Sequence, residues 1–182
     1  MNLVKKIPWK EGNCINVVIE IPKGSSNKYE YDEKKECFQL DRTLHSAVFY
    51  PFDYGFMPQS KAGDGDALDV IVLTETPTFA GCIIRSKPIG IVRMEDESGE
   101  DIKVIAIPAS DIEPRKADIS DIRDVPEHIM KEITEFMQHY KALEPHKWTK
   151  VHGLEGAEKA REIIKESVEN FAKVSGQKKR RK

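Results

Sequence analysis

A mainly β fold, a small antiparallel barrel carrying two helices at one side, is predicted by three observations. From Ile15 to Ile107, short apolar stretches alternate with period two between turn-forming residues. Helical periodicity is confined to the chain after Asp124. No internal repeat and no linker separates the two regions, and strands followed by helices in one unit favour a barrel with helices packed on it.

The elements follow in order. Ile15, Val17, Ile19 and Ile21 share one face of a first strand that ends at Pro22, with Glu20 on the other face. After the turn 23–27, Lys28–Asp32 forms a second strand with Lys28 and Glu30 on one face and two tyrosines on the other. Cys37–Asp41 returns as its hairpin partner, and Arg42 lies just past it. Residues 48–58 hold five aromatics between prolines and read as core. A strand ends near Leu73, and Cys82–Glu95 reads as one long strand interrupted at Pro88 and Gly90. The hairpin turn 96–100 leads into Asp101–Ile107, whose alternation puts Asp101 and Lys103 on one face. Asp124 with Glu127 predicts a capping box opening a helix over 126–142, with Tyr140 and Lys141 at its C-terminal end. A strand-like piece, Lys147–Val151, precedes a second amphipathic helix from about Gly156 to Val174.

Composition excludes several classes. Apolar residues make up 39% and charged residues 33% of the 182, and no stretch approaches the about 18 apolar residues of a membrane span. No signal peptide is expected, because no apolar region follows the basic N-terminus. Cys14, Cys37 and Cys82 are too scattered for a disulfide framework or zinc ribbon and fit the reducing cytoplasm. The net charge of −2 hides an uneven distribution: without the basic end Lys178–Lys182, 24 basic residues face 31 acidic ones, a balance of −7. The end, 177–182, reads as a disordered, solvated tail and the body does not read as a nucleic-acid binder.

The stretch Gly63-Asp64-Gly65-Asp66-Ala67-Leu68-Asp69 carries the chemistry. Asp64, Asp66 and Asp69 crowd a glycine-rich turn that runs into a strand, and such like charges repel unless a cation sits among them. All-oxygen donors suit Mg²⁺, Mn²⁺ or Ca²⁺ rather than zinc or copper. An EF-hand loop is excluded, because Leu68 and Asp69 stand where it needs a ligand and a glycine, and a strand follows. Further carboxylates (Glu20, Glu30, Asp96, Asp101), cations (Lys28, Arg42, Lys103, Lys141) and phenols (Tyr50, Tyr54, Tyr140) fall at strand edges, on lone polar faces or at a helix end. Gathered at one barrel mouth, they would suit a multiply charged anion bound through metals, phosphates above all. Taken singly, Lys28 with Glu30 or Asp101 with Lys103 is no more than a surface ion pair. Serine-hydrolase, P-loop and Rossmann motifs are absent from the sequence.

In these residues the chain resembles the soluble inorganic pyrophosphatases of family I, whose signature Asp-x-Asp-[Pro/Glu]-hydrophobic-Asp-hydrophobic stands here as Asp64-Gly65-Asp66-Ala67-Leu68-Asp69-Val70, with Ala67 departing from it. The likeness runs from roughly residue 14 to 170 through Glu20, Lys28-Tyr29-Glu30, Asp41-Arg42, Phe49-Tyr50-Pro51, Tyr54-Gly55, Gly99-Glu100-Asp101-x-Lys103 and His139-Tyr140-Lys141. The resemblance implies a five-stranded OB-like barrel flanked by two helices, a pyrophosphatase-like domain over 1–176, and hydrolysis of pyrophosphate to two phosphates. It implies several Mg²⁺ ions, with Mn²⁺ as a substitute, held by Asp64, Asp69, Asp101, Asp96 and Glu30 with Glu20 in support. Asp66 would orient or deprotonate the attacking water; Lys28, Arg42, Tyr54, Lys103, Tyr140 and Lys141 would bind the phosphoryl groups, with Tyr50 behind them. It also implies a prokaryotic-type homo-oligomer, usually a hexamer. Two other functions compete: an OB-like module binding single-stranded nucleic acid, which the carboxylates disfavour, and a hydrolase of nucleotide phosphoanhydrides, from which the sequence discriminates poorly.

Overall fold

The structure, a computed structural model, describes residues 1–179. A short helix α1 (Leu3–Lys6) precedes β1 (Lys10–Glu11), β2 (Cys14–Ile21), the hairpin β3 (Asn27–Asp32) and β4 (Cys37–Thr43), β5 (Asp53–Phe56), β6 (Asp69–Val72), β7 (Ile83–Asp96) and β8 (Gly99–Pro108). Two 3₁₀ turns, Pro114–Lys116 and Ile122–Asp124, lead to α2 (Glu127–His139), β9 (Thr149–Gly156) and α3 (Ala157–Lys179). Of the disordered tail predicted over 177–182, residues 177–179 instead continue α3, and 180–182 lie outside the described residues.

Five of the strands close a ring. β2 pairs with β5, β5 with β6, β6 with β8, β8 with β7, and the pairing of β7 with β2 completes the circuit. An odd ring cannot alternate direction all the way round. One neighbouring pair must therefore be parallel, which the expectation of an antiparallel barrel overlooked; that pair is β6 and β8. β7 is long because it serves three neighbours. Its first part pairs with β2, its second part with β9, and its other edge with β8. The register slips between Pro88 and Gly90, where proline has no N–H to give the ladder. Gly55 lets β5 approach β2 closely: a Cβ there would lie 1.9 Å from the Val18 carbonyl oxygen.

Helix α2 buries Met130, Ile133, Phe136 and Met137 against Ile21, Phe52, Ile89 and Ile105 of the barrel side. Phe52 and Phe136 pack edge to face at 5.6 Å, and Tyr50, Phe52, Tyr54 and Phe56 are core as predicted, whereas Phe49 is 62% exposed. Helix α3 seats Ala160 and Ile164 on a second cluster built from Val17, Ile19, Val70 and Val104. Removing a ring such as Phe136 from this kind of packing costs about 3–5 kcal/mol.

Several boundaries differ from expectation. The strand β9 is longer than Lys147–Val151 suggested and pairs along β7 to Gly156. The strand β5 was hidden within the aromatic stretch. Asp124 does not cap α2, whose N-cap is Pro126 with no side-chain hydrogen bond. The residue before a proline is held extended, as Val125 is at φ −84° and ψ 139°, so Asp124 cannot reach the helix. It forms instead a capping box with Asp121 around the second 3₁₀ turn.

Candidate active site

The acidic loop leaves β5 through Met57 and re-enters the sheet at β6. Gly65 has φ +98°, a conformation that glycine reaches without strain. Asp64 Oδ1 accepts the Asp66 N–H at 2.9 Å, and the Asp66 carbonyl accepts the Ala62 N–H at 2.8 Å. These bonds fold the loop so that Asp64, Asp66 and Asp69 face one cleft of about 470 Å³.

The rest of the barrel mouth supplies the opposite wall. The parallel register aligns Val70 with Val104, which brings Asp69 of β6 beside Lys103 of β8. The buried Lys103 ammonium donates to Asp69 and to Asp101, each at 2.6 Å. Strand alternation puts Asp101 and Lys103 on one face, as predicted. In the β3–β4 hairpin Lys28 stands opposite Arg42. Lys28 pairs with Glu30 and lies 3.7 Å from Asp41, while Arg42 pairs with Asp41. Beyond the end of α2, Lys141 donates to Asp96 at 2.7 Å and approaches Glu97 at 3.4 Å.

Every residue predicted for the site lines this cleft except Tyr50. Tyr50 is buried behind it, with its ring 5.7 Å from that of Tyr54 and 6.5 Å from that of Tyr140. Tyr54 and Tyr140 form part of the lining, and the Lys103 ammonium sits 5.8 Å from the Tyr54 ring. None of the five histidines lines the cleft.

The electrostatics are those of crowded carboxylates held by ammonium groups. Partial desolvation at the cleft, then the charges of Asp64 and Asp69, push the Asp66 carboxyl up. Burial raises Asp101 as well, opposed by Lys103. Burial alone would lower Lys103, but Asp69 and Asp101 outweigh it and hold the ammonium charged. Burial pushes Glu20 up to about 8. Its oxygen accepts the Tyr31 N–H at 2.7 Å, so it braces the strand that carries Glu30. Burial raises Asp96, but the Lys141 hydrogen bond, the Ser98 N–H and the nearby ammonium charges together outweigh it and keep its carboxyl below the ordinary range.

The donor set fits a hard divalent cation: carboxylate oxygens converge on one cleft with no sulfur or imidazole in the lining. Among the described residues no three such side chains already stand at metal-binding distance. Lys103 compensates the charges of Asp69 and Asp101.

Some of the lining and of its support carried no sequence signal. Glu144 is buried and accepts from Arg42 Nε at 2.8 Å, across 102 residues of chain. Glu97 and Lys147 line the cleft itself. No periodicity marks any of these three; only the folded contacts reveal them.

A closed mixed barrel whose mouth interleaves carboxylates with cations defines an enzyme of the OB-like β-barrel class. The sequence model of the family described as inorganic pyrophosphatase matches residues 17–172. The chain is 47% identical to the inorganic pyrophosphatase of Saccharolobus solfataricus, over 85% of this chain and 90% of that one. It is 45% identical to that of Synechocystis, over 92% and 98%. The crystal structure of the inorganic pyrophosphatase from Thermus thermophilus superposes with a TM-score of 0.90 at 41% identity, over 94% of this chain and 99% of that one. The chain belongs to the inorganic pyrophosphatase family.

Proposed function

We propose that this chain hydrolyses inorganic pyrophosphate to two orthophosphates with Mg²⁺, in the cleft at the barrel mouth. The observation that carries this reading is the gathering of opposite charges around one cavity: Asp64, Asp66, Asp69 and Asp101 line it together with Lys28, Arg42 and Lys141. Asp64, Asp69 and Asp101 would hold the activating ions, and Asp96 and Glu30 further ones. Bound there, such ions neutralise phosphoryl oxygens and lower the pKa of a coordinated water. Among the described residues no cation pairs with Asp66, unlike Asp69, Asp101 and Asp96. Partial desolvation and its acidic neighbours raise its basicity, which suits a group that takes the proton of the attacking water. Lys28, Arg42, Lys141 and the Tyr54 and Tyr140 hydroxyls orient the two phosphoryl groups; Lys103, expected among them, pairs with Asp69 and Asp101 and fixes both carboxylates.

Charged side chains make up most of the lining of the cleft of about 470 Å³, which favours pyrophosphate over nucleotides. Turnover of ATP and pyrophosphate compared at equal Mg²⁺ tests this: pyrophosphate should dominate, and equal rates would contradict it. The same reading takes 1–176 as one catalytic unit, with a chemistry that does not need 177–182, a cytoplasmic location and a homo-oligomer. Among the described residues no helix is long and apolar enough to cross a membrane. The carboxylate-lined mouth disfavours a nucleic-acid backbone.

A further inference from the structure

The acidic loop is closed by a side chain that bears no charge. Ser60 is 2% exposed. Its hydroxyl donates to the Met57 carbonyl at 2.5 Å and accepts the Leu68 N–H at 2.8 Å. Leu68 directly precedes Asp69, and its own carbonyl accepts the Met57 N–H at 2.9 Å. One hydroxyl thus joins the two ends of the loop that carries Asp64 and Asp66, and fixes the start of β6. On the outer side, the Lys61 N–H donates to the Ser167 carbonyl of α3 at 2.9 Å, so the loop's first arm is tied to the helix as well.

We propose that Ser60 is a positioning residue for divalent-cation binding. It sets the separation of Asp64 and Asp66 from Asp69 before any ion arrives. The argument rests on the metal-dependent reading above and deepens it. Asp64 and Asp66 lie on an exposed turn, so their approach to Asp69 depends on how firmly the loop's ends are joined. Leu68 is 1% exposed, and without the hydroxyl its N–H would be buried without a partner, which the chain relieves by shifting the loop. Groups that orient metal ligands from behind typically change affinity by about 10–100-fold.

Mn²⁺ binding to the full chain, read by calorimetry or electron paramagnetic resonance without substrate, tests the inference. Thermal melting in chelator is measured beside it. Ser60→Ala is expected to bind Mn²⁺ at least about tenfold more weakly while still folded in chelator, and Ser60→Thr, which keeps the hydroxyl, to bind as the wild type does. If Ser60→Ala does not fold, Ser60→Cys takes its place, because a thiol is a poorer acceptor of similar shape; the same loss is expected. A folded variant without the hydroxyl that binds Mn²⁺ like the wild type would overturn the inference, since a merely structural serine lowers only the melting temperature. A wild-type chain that binds no Mn²⁺ would instead overturn the metal-dependent reading on which it rests.

Discussion

Lys103 Nζ lies 2.6 Å from Asp69 Oδ2, across the parallel pair β6 and β8. The contact depends on barrel closure, because an odd ring needs one parallel pair and the register of this pair sets the two residues side by side. Lys103 also reaches Asp101 at 2.6 Å. Two of the carboxylates expected to hold ions are therefore tethered to one buried ammonium.

Removing that ammonium leaves two partly buried carboxylates uncompensated. Lys103→Met should cost about 3 kcal/mol of stability in chelator, and Mg²⁺ should restore part of the loss by binding the folded state. Denaturant titrations with and without Mg²⁺ check both statements. A variant as stable as the wild type in chelator would show that the tether is not needed.

Asp66 carries the proposed proton transfer and is exposed on its turn. Asp66→Asn should keep the fold and lower kcat by about 10²–10⁴-fold with KM changed far less. Steady-state kinetics at saturating Mg²⁺ separate the two parameters.

Arg42 is aimed by a residue the sequence did not single out. Glu144 holds its Nε at 2.8 Å and lies 3.3 Å from Lys147. Glu144→Ala should raise KM for pyrophosphate roughly tenfold, because a charge-assisted hydrogen bond that orders the guanidinium is lost. The effect on kcat should be smaller, and initial-rate curves distinguish the two.

Acid stability should depend on Asp121. Its carboxylate accepts from the Arg123 guanidinium at 2.7 Å and from the Ala157 N–H, at the start of α3, at 2.8 Å. The Arg123 hydrogen bond first, then the Ala157 amide, hold this carboxyl well below the usual carboxylate range. The unfolded chain therefore takes up a proton near the ordinary value of 3.8 while the folded chain does not. The stabilisation is complete above that value and fades as pH falls below it. Asp121→Ala should cost about 1 kcal/mol at neutral pH and flatten the acid limb of the stability curve, as urea titrations from neutral to strongly acidic pH would record.

Most of the site was legible because its residues announce themselves locally. Asp64, Asp66 and Asp69 share one loop, and Lys28 with Glu30 or Asp101 with Lys103 follows from strand parity alone. The groups that hold them in place were not legible. Glu144 reaches Arg42 across 102 residues, and Ser60 closes the loop with a hydroxyl that looks like any turn serine. The strand β5 was masked by its aromatics, and the capping box expected at Asp124 failed because Pro126 dictates the geometry before α2. Periodicity reports which face a residue occupies. It does not report which distant chain meets that face, and the β6–β8 register is information of that second kind.

Phosphate release from pyrophosphate by the purified chain, measured with Mg²⁺ and again after excess chelator, tests the central claim most directly. Rapid release that the chelator abolishes and added Mg²⁺ restores is the predicted result. Folded protein that releases no phosphate with Mg²⁺ or Mn²⁺, or that releases it equally well in chelator, would contradict the assignment of this cleft to metal-dependent pyrophosphate hydrolysis.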